Sequence, residues 1–412
     1  MLMRFVSCFI GVLLFAVSPA FAQPEGDPTT EVQTNAQFAL MMDYETGAVL
    51  FSKDGDQPMA PASMAKLMTV AILFEKLKHG ELKLDDTFTV SEQAWRLSVA
   101  GKNESSKMFV SIGSQIRVED LLQGIIVQSG NDACTVVAEH FSGNEEAFSD
   151  LMNAEAKKIG LKNSTFKNAS GLPHPEMTVT AHDLARLAQY IIREFPDLYH
   201  FFGEKEFTWN GIKQANRNLL LGVYPGADGL KTGHTQASGY GMVASAEQDG
   251  RRLILVVNGL TSEAERAAET KRLFDLAFRE FRSYALLKAG EVVGEAEVWA
   301  GEVRGVPLSV RQPVKILMRR ASRDGLKVKL DYVEPVMPPI ARGQELGKLT
   351  ITAPGVPDVV VPVYAGADVE AGGLMTQIKV GLKEMLSSKP EAAPATADVP
   401  LPESQPADAP AQ

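Results

Sequence analysis

The period of the apolar positions changes several times along the chain, and each change marks out a part. From Gln37 to Phe51 an apolar run (Phe38 to Met42), the turn Asp43-Tyr44-Glu45-Thr46-Gly47 and a second run from Ala48 predict a hairpin. Ala60-Pro61-Ala62-Ser63 opens a helical stretch, Met64 to Leu77. There Met64, Leu67, Met68, Ala71, Ile72, Leu73 and Phe74 cover most of the circumference, which predicts a helix lying inside the domain. Helical patterns dominate residues 118–195. Gly239 to Ala246 and Leu253 to Asn258 alternate like paired strands around an Asp249-Gly250 turn. Residues 263–282 return to helix, with Ala267, Leu273, Phe274, Ala277, Phe278 and Phe281 on the apolar face. Strands, helices, strands and a closing helix predict an α/β domain over 36–284 whose sheet draws on both ends of that segment.

Beyond Tyr284 the character changes. Short Val-rich runs (Glu291–Val298, Pro313–Met318, Leu326–Val333, Gly347–Thr352, Val359–Val363) are separated by Gly or Pro turns, so 285–370 reads as a small all-β domain. Within 371–389, Leu374, Met375, Ile378, Leu382, Met385 and Leu386 share one face of an amphipathic helix, with Lys379, Lys383 and Lys389 among or just after them. Residues 390–412 are rich in Pro and lack aromatics, the composition of a disordered tail.

The N-terminus reads as an address. Arg4, an apolar run from Phe5 to Val17 and Ser18-Pro19-Ala20-Phe21-Ala22 form a secretory signal over 1–22, with cleavage expected after Ala22. As a helix the run reaches roughly 20 Å against a hydrocarbon core of about 30 Å, too short for an anchor. Residues 23–35, polar and containing Pro24 and Pro28, read as a flexible leader. Cys8 leaves with the signal, so Cys134 is the one mature cysteine and no internal disulfide can form; on its apolar helix face it reads as inert core.

Composition narrows the chemistry. The 412 residues carry 41 Lys plus Arg against 51 Asp plus Glu, a net charge of −10, and 7% aromatics, which argues against nucleic acid as a partner. The six His and two Cys are scattered without ligand spacing, so neither a metal nor another cofactor is expected.

Three short motifs carry the candidate chemistry. Ser63-Met64-Ala65-Lys66 sets a hydroxyl and an amine three residues apart on one helix face, and a buried lysine can lose its proton and act as base. Ser129-Gly130-Asn131 follows an apolar helix and offers a hydroxyl and a carboxamide. Lys231-Thr232-Gly233 begins the stretch leading into the Gly239 strand, and its glycine would let a substrate backbone approach the strand edge. The first two have decoys: Ser164 to Lys167 in a polar loop, and Ser142-Gly143-Asn144, which reads as a helix stop followed by an N-cap. Arg217, in Asn216-Arg217-Asn218, fits a cleft-lining role and a structural one equally.

In this order the motifs resemble those of the penicillin-recognising serine enzymes, and the local wording resembles the low-molecular-mass D-alanyl-D-alanine carboxypeptidases. The matching phrases are Pro61-Ala62-Ser63-Met64-Ala65-Lys66-Leu67-Met68-Thr69, Ser129-Gly130-Asn131-Asp132-Ala133 and Asp228-Gly229-Leu230-Lys231-Thr232-Gly233-His234-Thr235. The resemblance implies a β-lactamase-like transpeptidase domain, an antiparallel sheet flanked by helices, followed by the all-β domain and the amphipathic helix. It implies that Ser63 attacks the penultimate D-alanine carbonyl, with Lys66 as base and Ser129 and Lys231 relaying the proton. Asn131 would hold the substrate amide, Thr232 and Arg266 the terminal carboxylate, and the N–H groups of Ser63 and His234 the oxyanion, with Gly233 lining the same strand. Implied partners are peptidoglycan stem peptides and, as covalent inhibitors, β-lactams. The location implied is exported and periplasmic, with weak contact to the inner-membrane surface through the C-terminal helix, which lacks Trp and Phe.

Rival functions share these residues. A β-lactamase of the commonest class adds Glu-x-x-Leu-Asn, a string this chain lacks. A D,D-endopeptidase uses the same site and differs only in cleft shape. A catalytically silent wall-binding scaffold would not need Ser63, Lys66, Ser129, Asn131 and Lys231 intact.

Overall fold

The computed structural model describes residues 32–100, 106–354, 356–373, 375, 376, 378 and 393–400. The expected signal segment, most of the expected leader and most of 371–389, where an amphipathic helix is expected, lie outside the described residues. The end of the leader is not free: Thr34 Oγ1 donates to Glu269 Oε1 at 2.6 Å and the Asn35 N–H to the same oxygen at 3.3 Å.

The first hairpin is β1 (Phe38–Asp43) and β2 (Val49–Lys53). A 3₁₀ turn, Ala62–Ala65, leads into α1 (Lys66–Lys78). Then come β3 (Thr87–Thr89), α2 (Glu92–Val99), β4 (Gln115–Arg117), α3 (Val118–Ile126), α4 (Asn131–Ser142), α5 (Glu145–Ile159) and α6 (Ala181–Glu194). A small hairpin, β5 (Glu206–Trp209) and β6 (Ile212–Ala215), precedes β7 (Ala227–Thr235), β8 (Gly239–Gln248), β9 (Arg251–Leu260) and α7 (Glu263–Glu280).

The main sheet is antiparallel in the order β2-β1-β9-β8-β7, so both ends of the segment do share it. It is covered on both faces. Along β1, Ala39 and Met41 face the core formed with α7 (Leu273, Phe274, Ala277), while Leu40 and Met42 face the larger core around α1. A strand buried on both faces reads as a continuous apolar run, which is why Phe38 to Met42 shows no alternation. Helix α1 is buried from Lys66 through Phe74, as its all-round apolar pattern requires. The Ser142 decoy is a helix boundary: Gly143 ends α4 at φ +79°, and the Asn144 side chain accepts from the Ala147 N–H at the start of α5.

One expectation is extended: the stretch from Lys231-Thr232-Gly233 that leads into the Gly239 strand is itself a strand, β7, at the sheet edge. Leu230 to Gly233 are all buried, and with charge and glycine in the run the strand has no readable period.

After α7 the chain enters β10 (Phe281–Leu287), which bridges two cores: Phe281 packs under α7, whereas Tyr284, Leu286 and Leu287 belong to the second. The second region holds β11 (Val292–Glu297), β12 (Gly305–Ser309), β13 (Val314–Arg319), β14 (Lys327–Glu334), β15 (Glu345–Ala353) and β16 (Val356–Ala365). Within the stretch expected to be disordered, Ala393–Asp398 forms β17, the edge strand beside β14. Backbone pairing needs little hydrophobicity when the partner edge is already built, and Val399 supplies an apolar anchor at 9% exposure.

Candidate active site

The three motifs meet where the 3₁₀ turn, the start of α4 and β7 converge. Ser63 lies in the turn before α1, so Lys66, one turn on, aims its amine back at the hydroxyl: Lys66 Nζ donates to Ser63 Oγ at 2.9 Å. The same nitrogen donates to Asn131 Oδ1 at 2.7 Å and to the Ser170 carbonyl at 2.5 Å. Lys66 is 0% exposed, and burial pushes its pKa down to about 8. The Arg217 guanidinium pushes the same way, while Cys134, Asp132 and Glu145 oppose.

Ser129 sits at φ +58° between α3 and α4, with a buried Oγ that has no hydrogen-bond partner among the described residues. A non-glycine residue in the left-handed region, with an unsatisfied hydroxyl, marks a group held for a ligand. Its neighbour Asp132 anchors the motif from below. Oδ1 accepts from the Met108 N–H at 2.8 Å and Oδ2 from the Phe109 N–H at 2.9 Å and from Ser98 Oγ. The Asn131 N–H donates to Ser106 O at 2.9 Å, tying the 106–110 loop to the motif.

Lys231, from β7, is 3% exposed and has its pKa pushed well down by burial, then by Lys66 and Arg217. Gly233 also has a packing role. A Cβ there would lie 3.0 Å from Pro61 O and 3.2 Å from Ala62 Cβ, so the glycine admits the nucleophile's own turn against β7. Gly171 does the same from the opposite side at φ +80°, where a Cβ would fall 1.8 Å from Ala62 O. His234 stacks on Tyr240 at 3.9 Å, and Arg266 lies over the same ring at 5.9 Å. Arg266 is 3% exposed and donates to Arg217 O at 3.0 Å and Glu263 Oε1 at 2.8 Å. Thr232 is buried beside Lys231. The nearby Glu265 binds Thr261 and Asn35.

The second Ser-x-x-Lys is taken up elsewhere: Ser164 Oγ donates to Asp183 at 2.7 Å and Lys167 pairs with Glu176 at 2.8 Å. Sequence reasoning left Arg217 open and missed Ser170 and Asp132. Arg217 joins the site, its Nη1 donating to Ser106 Oγ. Ser170 acts through a backbone carbonyl, which side-chain identity cannot signal. Asp132 could have been found, since an acid directly after Asn131 at a helix start is a natural acceptor for backbone N–H groups.

Residues 24–262 match the family model described as D-alanyl-D-alanine carboxypeptidase, and residues 281–371 match that of the penicillin-binding protein 5 C-terminal domain. The chain is 37% identical to D-alanyl-D-alanine carboxypeptidase DacA of Haemophilus influenzae, covering 85% of this chain and 88% of that one. It is 36% identical to DacC of Escherichia coli over 89% and 92%. The solved penicillin-binding protein 5 of H. influenzae superposes with a TM-score of 0.71 at 36% identity, covering 82% of this chain and 98% of that one. A solved Listeria monocytogenes penicillin-binding protein D2, in an ampicillin-bound form, aligns at 28% identity and TM-score 0.53 over 60% of this chain and all of its own. With a lysine already poised on a serine and the matching fold around it, the chain belongs to the D-alanyl-D-alanine carboxypeptidases, serine peptidases with an appended penicillin-binding protein 5-type β domain.

Proposed function

We propose that this carboxypeptidase removes the terminal D-alanine of peptidoglycan stem peptides through an acyl-enzyme on Ser63. Ser63 Oγ attacks the carbonyl carbon of the penultimate D-alanine as its proton passes to neutral Lys66 Nζ. The tetrahedral oxyanion rests on the N–H groups of Ser63 and His234. Collapse breaks the C–N bond, and the leaving amine takes its proton through Ser129, with Lys66 and Lys231 on either side of that relay. Water then attacks the ester, returning Ser63 and releasing the shortened peptide. Asn131 holds the substrate amide, and Thr232 and Arg266 hold the terminal carboxylate beside Lys231. The observation that carries this reading is Lys66, fully buried, 2.9 Å from Ser63 Oγ and with its pKa lowered to about 8.

The loop that touches Lys66 does so with a carbonyl, Ser170 O, and the carboxylate behind it, Glu145, accepts from Thr135 Oγ1 at 2.7 Å and the Ala169 N–H at 2.8 Å. Both bonds tie that carboxylate into the loop and α4, and the chain lacks the Glu-x-x-Leu-Asn string, which supports β-lactams as slowly released inhibitors of this chain. Export to the periplasm is supported by the 1–22 segment, and the lysine-bearing 371–389 segment is the candidate for weak contact with the inner-membrane surface. Mass spectrometry of a defined pentapeptide muropeptide tests the reaction: loss of one D-alanine by the wild type and none by Ser63→Ala is expected. Cleavage of cross-links with intact pentapeptide ends would refute it.

A further inference from the structure

The strand that carries Lys231 and Thr232 is an edge strand, flanked by β8 on one side only. Its register breaks near its start. Ala227 faces Ala246 and Gly229 faces Ser245, which leaves Asp228 as the extra residue of a bulge. The Asp228 carboxylate is the hub of a network that the proposed mechanism does not use. Tyr199 Oη donates to Oδ1 at 2.9 Å, and Arg252 Nη1 donates to Oδ1 at 2.9 Å and lies 2.7 Å from Oδ2. Arg252 Nη1 also donates to Ser245 Oγ at 2.7 Å, and Nη2 donates to Glu247 Oε2 at 2.7 Å. The guanidinium lies 5.4 Å from the centre of the Tyr199 ring. On the next residue, Gly229 O accepts from Asn218 Nδ2 at 3.0 Å, and a Cβ on Gly229 would come within 2.6 Å of Tyr199 Oη.

Side chains along a strand alternate between faces, so a bulge inverts the phase of everything after it. Where the bulge sits decides which face Lys231 and Thr232 occupy. Slippage by one residue would turn every later side chain of β7 to the other face. Arg252, from the next strand but one, clamps the extra residue from across β8, and Tyr199 clamps it from the adjacent 3₁₀ turn, Tyr199–Gly203. A partly buried ion pair contributes little net stability, so its use at this point indicates a role in register. We propose that Asp228 is a positioning residue: with Tyr199 and Arg252 it pins the β7 bulge and thereby sets the phase in which Lys231 and Thr232 meet the substrate. This rests on the reading that Lys231 acts on substrate.

The test is a double-mutant cycle in the full chain, reading the acylation rate by a fluorescent penicillin together with Tm. Asp228→Asn keeps the shape and loses the charge. It is expected to slow acylation by about 10- to 100-fold, the scale of a displaced catalytic group. In a Lys231→Ala background the same substitution is expected to slow it clearly less, because only the displacement of Thr232 remains to be felt, with the Tm loss the same in both backgrounds. Tyr199→Phe, which removes the hydroxyl that donates to Asp228, is expected to follow the same pattern at smaller size, and carries the test if Asp228→Asn does not fold. Equal losses in both backgrounds would overturn the anchor while leaving Lys231's role standing. A Lys231→Ala variant that acylates at the wild-type rate would instead refute the reading of Lys231, and the anchor with it.

Discussion

Neutral Lys66 makes the pH dependence of acylation a direct consequence of burial. At its ordinary value of 10.5 a lysine is neutral in roughly 3 molecules in 10⁴ at pH 7; at about 8 the fraction is roughly one in ten, a gain of about 300-fold in competent base. Acylation at low substrate should therefore fall about tenfold per pH unit below 8 and level off above it. Neighbouring charges give the profile a sign test. Arg217 pushes the value down, so Arg217→Gln should move the inflection to higher pH; Glu145 holds it up, so Glu145→Gln should move it lower. The unfolded chain binds a proton that native Lys66 lacks between about pH 8 and 10.5, so this group's contribution makes the fold more stable as pH rises through that window. Stopped-flow acylation by a chromogenic cephalosporin from pH 6 to 10 reads the profile. A flat rate between pH 6 and 8, or both variants shifting it in one direction, would refute Lys66 as the base.

Other consequences are as specific. Arg266→Ala removes charge-assisted hydrogen bonds of about 1.5–3 kcal/mol, so kcat/KM on a free-acid peptide should drop roughly 10- to 150-fold, with a far smaller loss on a substrate lacking the carboxylate; equal losses would assign Arg266 to the fold through Glu263. Gly171→Ala places a methyl 1.8 Å from Ala62 O and must shift the turn holding Ser63. It should cost about 1–3 kcal/mol in stability and at least about 10²-fold in acylation, measured by Tm and labelling. A chain ending after Tyr284 should still hydrolyse a small D-Ala-D-Ala peptide. It loses Leu317, which packs under α7 from β13, so stability should fall by about 1.5–3 kcal/mol, measured by urea unfolding.

Sequence made the outline of this enzyme legible where local pattern and tertiary burial agree. Met64 to Phe74 is apolar all round because α1 is buried all round, and the 37–51 hairpin has its turn chemistry in plain view. Strand β7 was hidden because glycines, a lysine and a threonine occupy a run buried on both faces. Strand β17 was hidden because its pairing is backbone to backbone, donated by a partner edge far away in sequence. The same division holds at the site. Ser63 and Lys66 are three residues apart on one turn, so their 2.9 Å contact follows from local geometry. Arg217 reaches the site only through the packing of the β6–β7 connection, and Ser170 through a carbonyl, and neither leaves a trace in local spacing. The missing Cβ of Gly233 also makes room for Pro61 and Ala62, a contact between segments too far apart in sequence to be read from spacing.

The central claim is that one serine, chosen from two in Ser-x-x-Lys settings, is acylated because a neutral lysine faces it. Incubation with a penicillin, proteolysis and peptide mapping by mass spectrometry test this most directly in the wild type, Lys66→Arg and Ser63→Ala. The account predicts a single adduct on Ser63 in the wild type. It predicts at least about 10²-fold slower labelling in Lys66→Arg, whose side chain cannot give up its proton, and none in Ser63→Ala. An adduct on Ser164, or labelling of Lys66→Arg at the wild-type rate, would contradict it.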